Sequence, residues 1–520
     1  MEGKDASLEH LLAQDFGTIA ALVAATAQRR PDHPALVDDA RRLSYGALDA
    51  AVDQVAAALQ RDGITPRASV AICAATSLEY CVVFLGALRA GVAVAPLAPS
   101  STPQSLAAMA ADCAARIVFV DATTQERLAA VDPAVTRVML DGAAGGRAFA
   151  DWLADAPPVP HPVEIAPDWT FNIIYSSGTT GTPKGIEQPH QMRWFHVRRA
   201  GTFGYGPQTR TIVSTPLYSN TTLVSFFPTL AQGGTAILMR KFDAAAFLSL
   251  AEAERATHAM LVPVQYSRIM ARPDFDAHDL SSFKMKFSTS APFAAALKAD
   301  VLKRWPGGLV EYYGMTEGGG TCILVAHEFP DKLHTVGRPS EGHDIRLVDE
   351  AGQEVPPGSI GEVVGHSEAT MSGYRNQPGK TAEAEWFDSD GRRFIRTGDV
   401  GRFDADGFLT LMDRKKDMII SGGFNVYPSD LEAVIVKHAD VAEAAVVGVP
   451  SPAWGETPVA FVTLRPGASI AADALRDWTN AQLGKTQRLA ALKILDNLPR
   501  SAIGKVLKRE LRDNYADTVA

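Results

Sequence analysis

Cysteine is scarce in this sequence. Four occur in 520 residues, at Cys73, Cys81, Cys113 and Cys322, with no paired spacing. That excludes a disulfide framework and a cysteine-based zinc site, and it fits a reducing cytoplasm. An excess of positive charge is also missing. Fifty Lys and Arg against 59 Asp and Glu leave a formal net charge of -9. Nucleic acid is therefore excluded as the main partner, because a phosphate backbone needs a basic surface. There is no long uninterrupted apolar run. The longest, Val82 to Ala98, is broken by Arg89 and interrupted by glycine, so no integral membrane segment is expected. The stretch from Met1 to Gln14 mixes Glu2, Lys4, Asp5 and Glu9 with leucines and lacks the apolar centre of a signal peptide. Internal repeats are absent.

What is present is ordinary for a soluble globular protein: 46% hydrophobic and 21% charged residues. The length favours two or more domains. Leu43 to about Gln60 reads as a helix with Ser44 as its N-cap. Val70 to Cys73 reads as a strand, Leu78 to Gly91 as a helix, Val92 to Leu97 as a strand, Ser105 to Ala115 as a helix and Ile117 to Val120 as a strand. This alternation predicts α/β layers around a largely parallel sheet. The Pro-rich stretch Ala156 to Pro162 reads as a stiff linker. A second α/β stretch runs from about Trp169 to Trp305. Between Val336 and Met412 short β segments and turns such as Asp404-Ala-Asp-Gly407 dominate. After the charged run Asp413-Arg-Lys-Lys-Asp417 comes a smaller strand–helix region. The fold expected is α/β: a large N-terminal domain of α/β layers with a β-rich subdomain (1–413), joined by a hinge to a small mobile α+β C-terminal domain (414–520).

One segment carries chemistry. The apolar, β-branched strand Phe171-Asn-Ile-Ile-Tyr175 runs into Ser176-Ser-Gly-Thr-Thr-Gly-Thr-Pro-Lys-Gly185. Glycines let a backbone approach a ligand closely, hydroxyls and N–H groups donate to phosphate oxygens, and Lys184 supplies a point charge. The NTPase P-loop needs Gly-Lys-Ser/Thr at its end, whereas here Pro183 precedes the lysine and Gly185 follows it. A flexible Ser/Gly loop would have the same composition. The strand before it and the lysine within it favour a phosphate cradle.

Tyr175 to Gly185 closely resembles the signature of the adenylate-forming superfamily, which comprises acyl-CoA synthetases, carrier-loading adenylation domains and luciferases. Other segments are similar to that family's motifs and follow in its order. They are Glu311-Tyr-Tyr-Gly-Met-Thr-Glu317, Thr397-Gly-Asp399, Asp413 to Asp417 with Ser421 to Asn425, and Pro499-Arg-Ser-Ala-Ile-Gly-Lys505. Weaker likeness at Leu43 to Asp49 and Gly86 to Pro96 extends the match over nearly the whole chain.

The resemblance implies roles. Ser176, Ser177, Gly178, Thr179, Thr180, Gly181 and Lys184 would hold the ATP phosphates. Thr316 would contact the α-phosphate, Tyr313 would line the adenine site, and Glu317 would bind Mg2+ through a hard carboxylate oxygen. Asp399 and Arg414 would hold the ribose or phosphate, and Lys416 would be the hinge. Lys505 would neutralise the charge that develops as the substrate carboxylate attacks the α-phosphorus. A carboxylic acid with a pKa of about 4 is already ionised and needs no general base. Catalysis must therefore come from positioning and charge neutralisation. Gly422 and Gly423 would leave room for the pantetheine arm of coenzyme A when the C-terminal domain turns its other face.

The sequence departs from the family at Pro216-Leu-Tyr-Ser-Asn220, where Ser219 stands at a position often held by histidine. Tyr218, Ser219 and Asn220, with Gly318, Gly319 and Trp194, are expected to form the acyl pocket. The expected function is an AMP-forming acid–CoA ligase acting on an apolar acid, aryl or medium-chain. The partners are a small-molecule carboxylic acid, ATP and coenzyme A, and a homodimer is compatible. An enzyme that loads a separate carrier protein is the alternative. A non-catalytic nucleotide-binding protein is disfavoured because Lys184, Glu317, Asp399 and Lys505 occur together.

Overall fold

The structure is a computed structural model, and it describes residues 8–39, 41–176, 183–414, 417–421, 424–452, 454–484, 487–501 and 504–519. By packing, these divide into two compact units. The first comprises residues up to Leu333, Pro339–Asp344 and Gly365–Ile395. The second comprises His334–Arg338, Ile345–Val364 and Arg396 onward. This division does not follow a single cut at residue 413, because part of the β-rich segment packs with the C-terminal region.

The first unit is layered α/β. Its eight-stranded sheet runs in the order Gly373–Tyr374, Lys184–Pro189, Thr170–Ser176, Ala93–Pro96, Ser69–Cys73, Ile117–Val120, Thr136–Met139, Arg147–Ala148. From Thr170–Ser176 to Arg147–Ala148 the pairs are parallel, and Ser69–Cys73 is buried along its whole length, as a strand covered on both faces must be. A second sheet has a parallel centre, Gly308–Tyr313, Met285–Ser288, His258–Leu261, Arg210–Val213, Thr235–Leu238 and Pro34–Asp38.

Local signals explain the helices between them. Tyr45–Arg61 starts where the Ser44 side chain accepts a hydrogen bond from the Ala47 N–H at 3.3 Å. Leu48, Val52, Val55 and Leu59 recur on one face and are fully buried. The helix ends at Arg61, and Gly63 follows at φ 70°, a left-handed conformation that favours glycine. With Ile19–Arg29, Leu78–Arg89 and Asn220–Ala231, it forms a core around Leu22, Phe84, Phe226 and Phe227.

All four cysteines are buried thiols, and burial pushes Cys73 up to about 12 and Cys113 up to about 11. No helix among the described residues is long and apolar enough to cross a membrane.

In the second unit, Val441–Ser451 and Gly455–Leu464 pair antiparallel along their length, and Ala491–Ile494 joins the latter in parallel. Helix Pro428–Ile435 packs Leu431 and Ile435 on this sheet with Val446, Ala460, Val462 and Leu475. Elsewhere in the unit, residues 399–403 of the strand Arg393–Phe403 pair with Leu409–Arg414, which sets Asp399 opposite Arg414.

Candidate active site

The lysine of the phosphate segment sits at the start of a returning strand. Thr170–Ser176 enters, Lys184–Pro189 returns antiparallel, and Ser176 lies opposite Lys184. Phe171, Ile173 and Ile186 are buried beneath and hold this hairpin in the sheet. On the outer side of the returning strand lies Gly373–Tyr374, with Tyr374 opposite Ile186. Arg375 fastens the pair: its N–H donates to the Gly185 carbonyl at 2.8 Å, and its guanidinium meets the Glu187 carboxylate at 2.7 Å.

This arrangement gathers three groups. Lys184 Nζ lies 4.5 Å from the centre of the Tyr374 ring, within cation–π range. The Tyr374 hydroxyl donates to Glu317 Oε1 at 2.8 Å. Burial, followed by the Glu317 charge, raises the Tyr374 phenol, so it remains a donor at neutral pH. The turn carrying Glu317 is fixed from the same side, since Met371 N–H donates to the Glu317 carbonyl at 2.8 Å. Tyr374 escaped the sequence reading, although it is the only aromatic residue in Met371-Ser-Gly-Tyr-Arg-Asn376.

Glu317 retains a second oxygen, Oε2, with no hydrogen-bond partner among the described residues. No group of three or more His, Cys, Asp or Glu side chains that could hold a metal occurs among them. One carboxylate oxygen completed by nucleotide phosphates is the donor set that magnesium takes in such sites.

Thr316 precedes Glu317 in the turn, and its carbonyl accepts from Gln188 Nε2 at 2.6 Å. Tyr313 ends the strand Gly308–Tyr313, buried and opposite Cys322. Ser219 is the N-cap residue of helix Asn220–Ala231, and its carbonyl accepts from Thr222 and Leu223 N–H groups. Tyr218 is half-buried, and burial raises its phenol.

Three residues expected at the acyl pocket lie close against other parts of the protein. Trp194 is 1% exposed and serves the core: its Nε1–H donates to the Gln14 carbonyl at 3.2 Å, and it packs edge-on to Phe16. It anchors the N-terminal segment. Gly318 and Gly319 leave no volume for an acyl chain at their missing side chains. A Cβ at Gly318 would stand 2.0 Å from the Ala369 carbonyl oxygen, and one at Gly319 would stand 2.7 Å from that of Gly365. These glycines, at φ 75° and 87°, instead let the Glu317 turn bridge directly to Thr370.

Asp399, Arg414 and Lys505 belong to the second unit. The Asp399 N–H donates to Thr397 Oγ1 at 3.0 Å, and that hydroxyl donates to the Val363 carbonyl at 2.9 Å. Lys505 sits in a tight reversal closed by Ser501 N–H to the Lys505 carbonyl at 2.8 Å, with Gly504 at φ 77°. Arg500 braces it, donating to the Gly504 carbonyl at 2.6 Å and to Glu443 at 2.6 Å. Ser177, Gly178, Thr179, Thr180, Gly181, Lys416, Gly422 and Gly423 lie outside the described residues, and only the backbone of Ser176 and Arg414 is described.

Sequence reasoning also missed a buried polar group formed by Asn172, Gln188 and Arg193 with Asn220. Part of the signal was available: Asn172 interrupts the otherwise apolar run Phe171-Asn-Ile-Ile174.

A large α/β unit with a lysine hairpin beside a carboxylate turn, followed by a smaller unit, defines an ATP-using ligase that activates acids. Comparison with known proteins makes the assignment. The chain belongs to the AMP-binding enzyme family: residues 23–375 match the AMP-binding enzyme domain and residues 430–505 the AMP-binding enzyme C-terminal domain. A feruloyl-CoA synthase of an Amycolatopsis species is 34% identical over 495 residues, covering 94% of this chain and 97% of that one. The fatty acid–[acyl-carrier-protein] ligase ScoC of Streptomyces coeruleorubidus is 31% identical over 505 residues, covering 94% and 95%. ATP-bound MatB from Rhodopseudomonas palustris superposes with a TM-score of 0.87 at 29% identity, covering 97% of this chain and 100% of that one. The protein is an AMP-forming acid–thiol ligase of the adenylate-forming superfamily.

Proposed function

We propose that the protein is a carboxylic acid–CoA ligase working through an acyl-adenylate. The carboxylate attacks the α-phosphorus of ATP, forming acyl-AMP and releasing pyrophosphate. The thiol of coenzyme A then attacks the acyl carbon and AMP leaves. The observation that carries the first half is the placement of Lys184 over the ring of Tyr374 and of Glu317 at its hydroxyl. A cation for the departing pyrophosphate and a hard carboxylate for Mg2+ are thereby held on one rigid ring. The metal supplies charge neutralisation on the phosphates when bound.

The remaining roles follow the motifs. Thr316 contacts the α-phosphate and Tyr313 the adenine, with Ser176 to Gly181 on the triphosphate. Asp399 and Arg414 hold the ribose, and their opposed register supports a joint role. Lys505 neutralises the adenylation transition state. Residues 1–413 and 414–520 act as two working parts about Lys416, with Gly422 and Gly423 beside the pantetheine arm. Tyr218, Ser219 and Asn220 border the acyl group, and the acid is apolar, aryl or medium-chain.

The similarity to an acyl-carrier-protein ligase favours one second reading, transfer of the acyl group to a separate carrier protein. A panel of carboxylic acids assayed for AMP release with and without CoA separates the two. CoA-dependent AMP release with an aryl or medium-chain acid is expected. AMP release indifferent to CoA for every acid would overturn the CoA assignment.

A further inference from the structure

Arg193, on helix His190–Arg199, is 1% exposed. Burial lowers its guanidinium to about 9, which still leaves it charged at neutral pH. Among the described residues no carboxylate lies within ion-pair distance of it. Its hydrogen-bond partners are neutral amides, and its guanidinium carbon lies 5.8 Å from the centre of the Phe171 ring. Nη2 donates to Asn172 Oδ1 at 3.1 Å, to Asn220 Oδ1 at 2.8 Å and to Gln188 Oε1, while Nη1 has no hydrogen-bond partner among the described residues. A buried, unneutralised cation with an orphan N–H is a poor stabilising device, and apolar groups of similar volume are often at least as stable.

The arrangement makes sense as an orienting device. Arginine can only donate, so each amide that faces it must present its oxygen. Gln188 Oε1 accepts from Arg193 and also from Asn172 Nδ2 at 2.9 Å. Its Nε2 therefore faces the other way, where it donates to the Thr316 carbonyl at 2.6 Å and to Asn220 Oδ1 at 3.3 Å. Gln188 lies on the same strand as Lys184, and Asn220 opens the helix after Ser219. One guanidinium thus links the Lys184 hairpin, the Asn220 helix start and, through Gln188, the Thr316–Glu317 turn.

We propose that Arg193 is a positioning residue for acyl-adenylate formation, acting through Gln188 on the Thr316 carbonyl and directly on the Asn220 side chain. The proposal rests on the role given above to Thr316. It concerns the first half-reaction, because the turn it holds carries the groups assigned to ATP.

Gln188→Glu tests it. The carboxylate would give Arg193 the counter-ion it lacks, so a purely structural role predicts a protein at least as stable and fully active. An ionised carboxylate cannot donate to the Thr316 carbonyl, so the positioning role predicts loss of rate. ATP–pyrophosphate exchange is measured first on the unsubstituted chain with the responsive acid, and its absence overturns both the functional reading and this proposal. With exchange present, Gln188→Glu is expected to lower kcat about tenfold or more, with KM for ATP changed about threefold at most. The combined Asn172→Leu/Gln188→Leu/Arg193→Met variant replaces every buried polar member of the group except Asn220 by apolar groups. It should melt within a few degrees of wild type and show the same loss of kcat. Exchange at the wild-type kcat in either folded variant would overturn the positioning role and leave the functional reading standing.

Discussion

Tyr374 shows how much one side chain carries. Its ring faces a lysine and its hydroxyl holds a carboxylate, so two charges of opposite sign are kept apart yet in fixed relation. Tyr374→Phe removes only the hydroxyl and keeps the ring under Lys184. A hydrogen bond to a charged group contributes about 1.5–3 kcal/mol. If Glu317 must be oriented for ATP to react, kcat/KM for pyrophosphate exchange should fall roughly tenfold or more. The melting temperature should move little, because Glu317 can turn to water. Wild-type exchange in this variant would remove the Tyr374–Glu317 bond from the catalytic account.

At the scale of elements, sequence legibility followed the range of the forces involved. The helix at Tyr45–Arg61 was readable because its Ser44 cap and its apolar face are local. Strands such as Ser69–Cys73 and Ile117–Val120 were readable from short buried β-branched runs. The motif turn at Glu317 was visible as well, but its surroundings were not. Tyr374 is 57 residues away in sequence and reaches Glu317 only because a strand pair brings it there. The glycines after Glu317 were read as empty space, yet the same composition also serves close backbone contact. Only the fold tells the two apart. Gly318→Ala puts the difference to the test. Its Cβ would meet the Ala369 oxygen at 2.0 Å on a backbone with φ 75°. Strain of that kind costs about 1–3 kcal/mol or more. The variant should show a lowered urea midpoint together with impaired exchange. A midpoint equal to wild type would mean the turn can relax without loss.

For the whole molecule the difficulty is charge. ATP, a carboxylate and coenzyme A are all anions, and the chain itself carries a net charge of -9. Cations must therefore be delivered locally. Lys184 belongs to the first unit and Lys505 to the second. The division of labour proposed for them predicts that Lys505→Ala abolishes adenylate formation yet still makes thioester from supplied acyl-AMP. The check is to measure pyrophosphate exchange and acyl-CoA formation separately on one preparation. Equal loss of both half-reactions would refute the division.

The buried thiols have a practical consequence. Cys73, Cys81, Cys113 and Cys322 are all enclosed, and burial keeps them protonated. A thiol-specific colour reagent added to the folded protein should therefore see the sulfur of coenzyme A and almost none of the protein's own. Loss of colour would count each acyl transfer directly, and a slow gain of up to four equivalents per chain would mark unfolding.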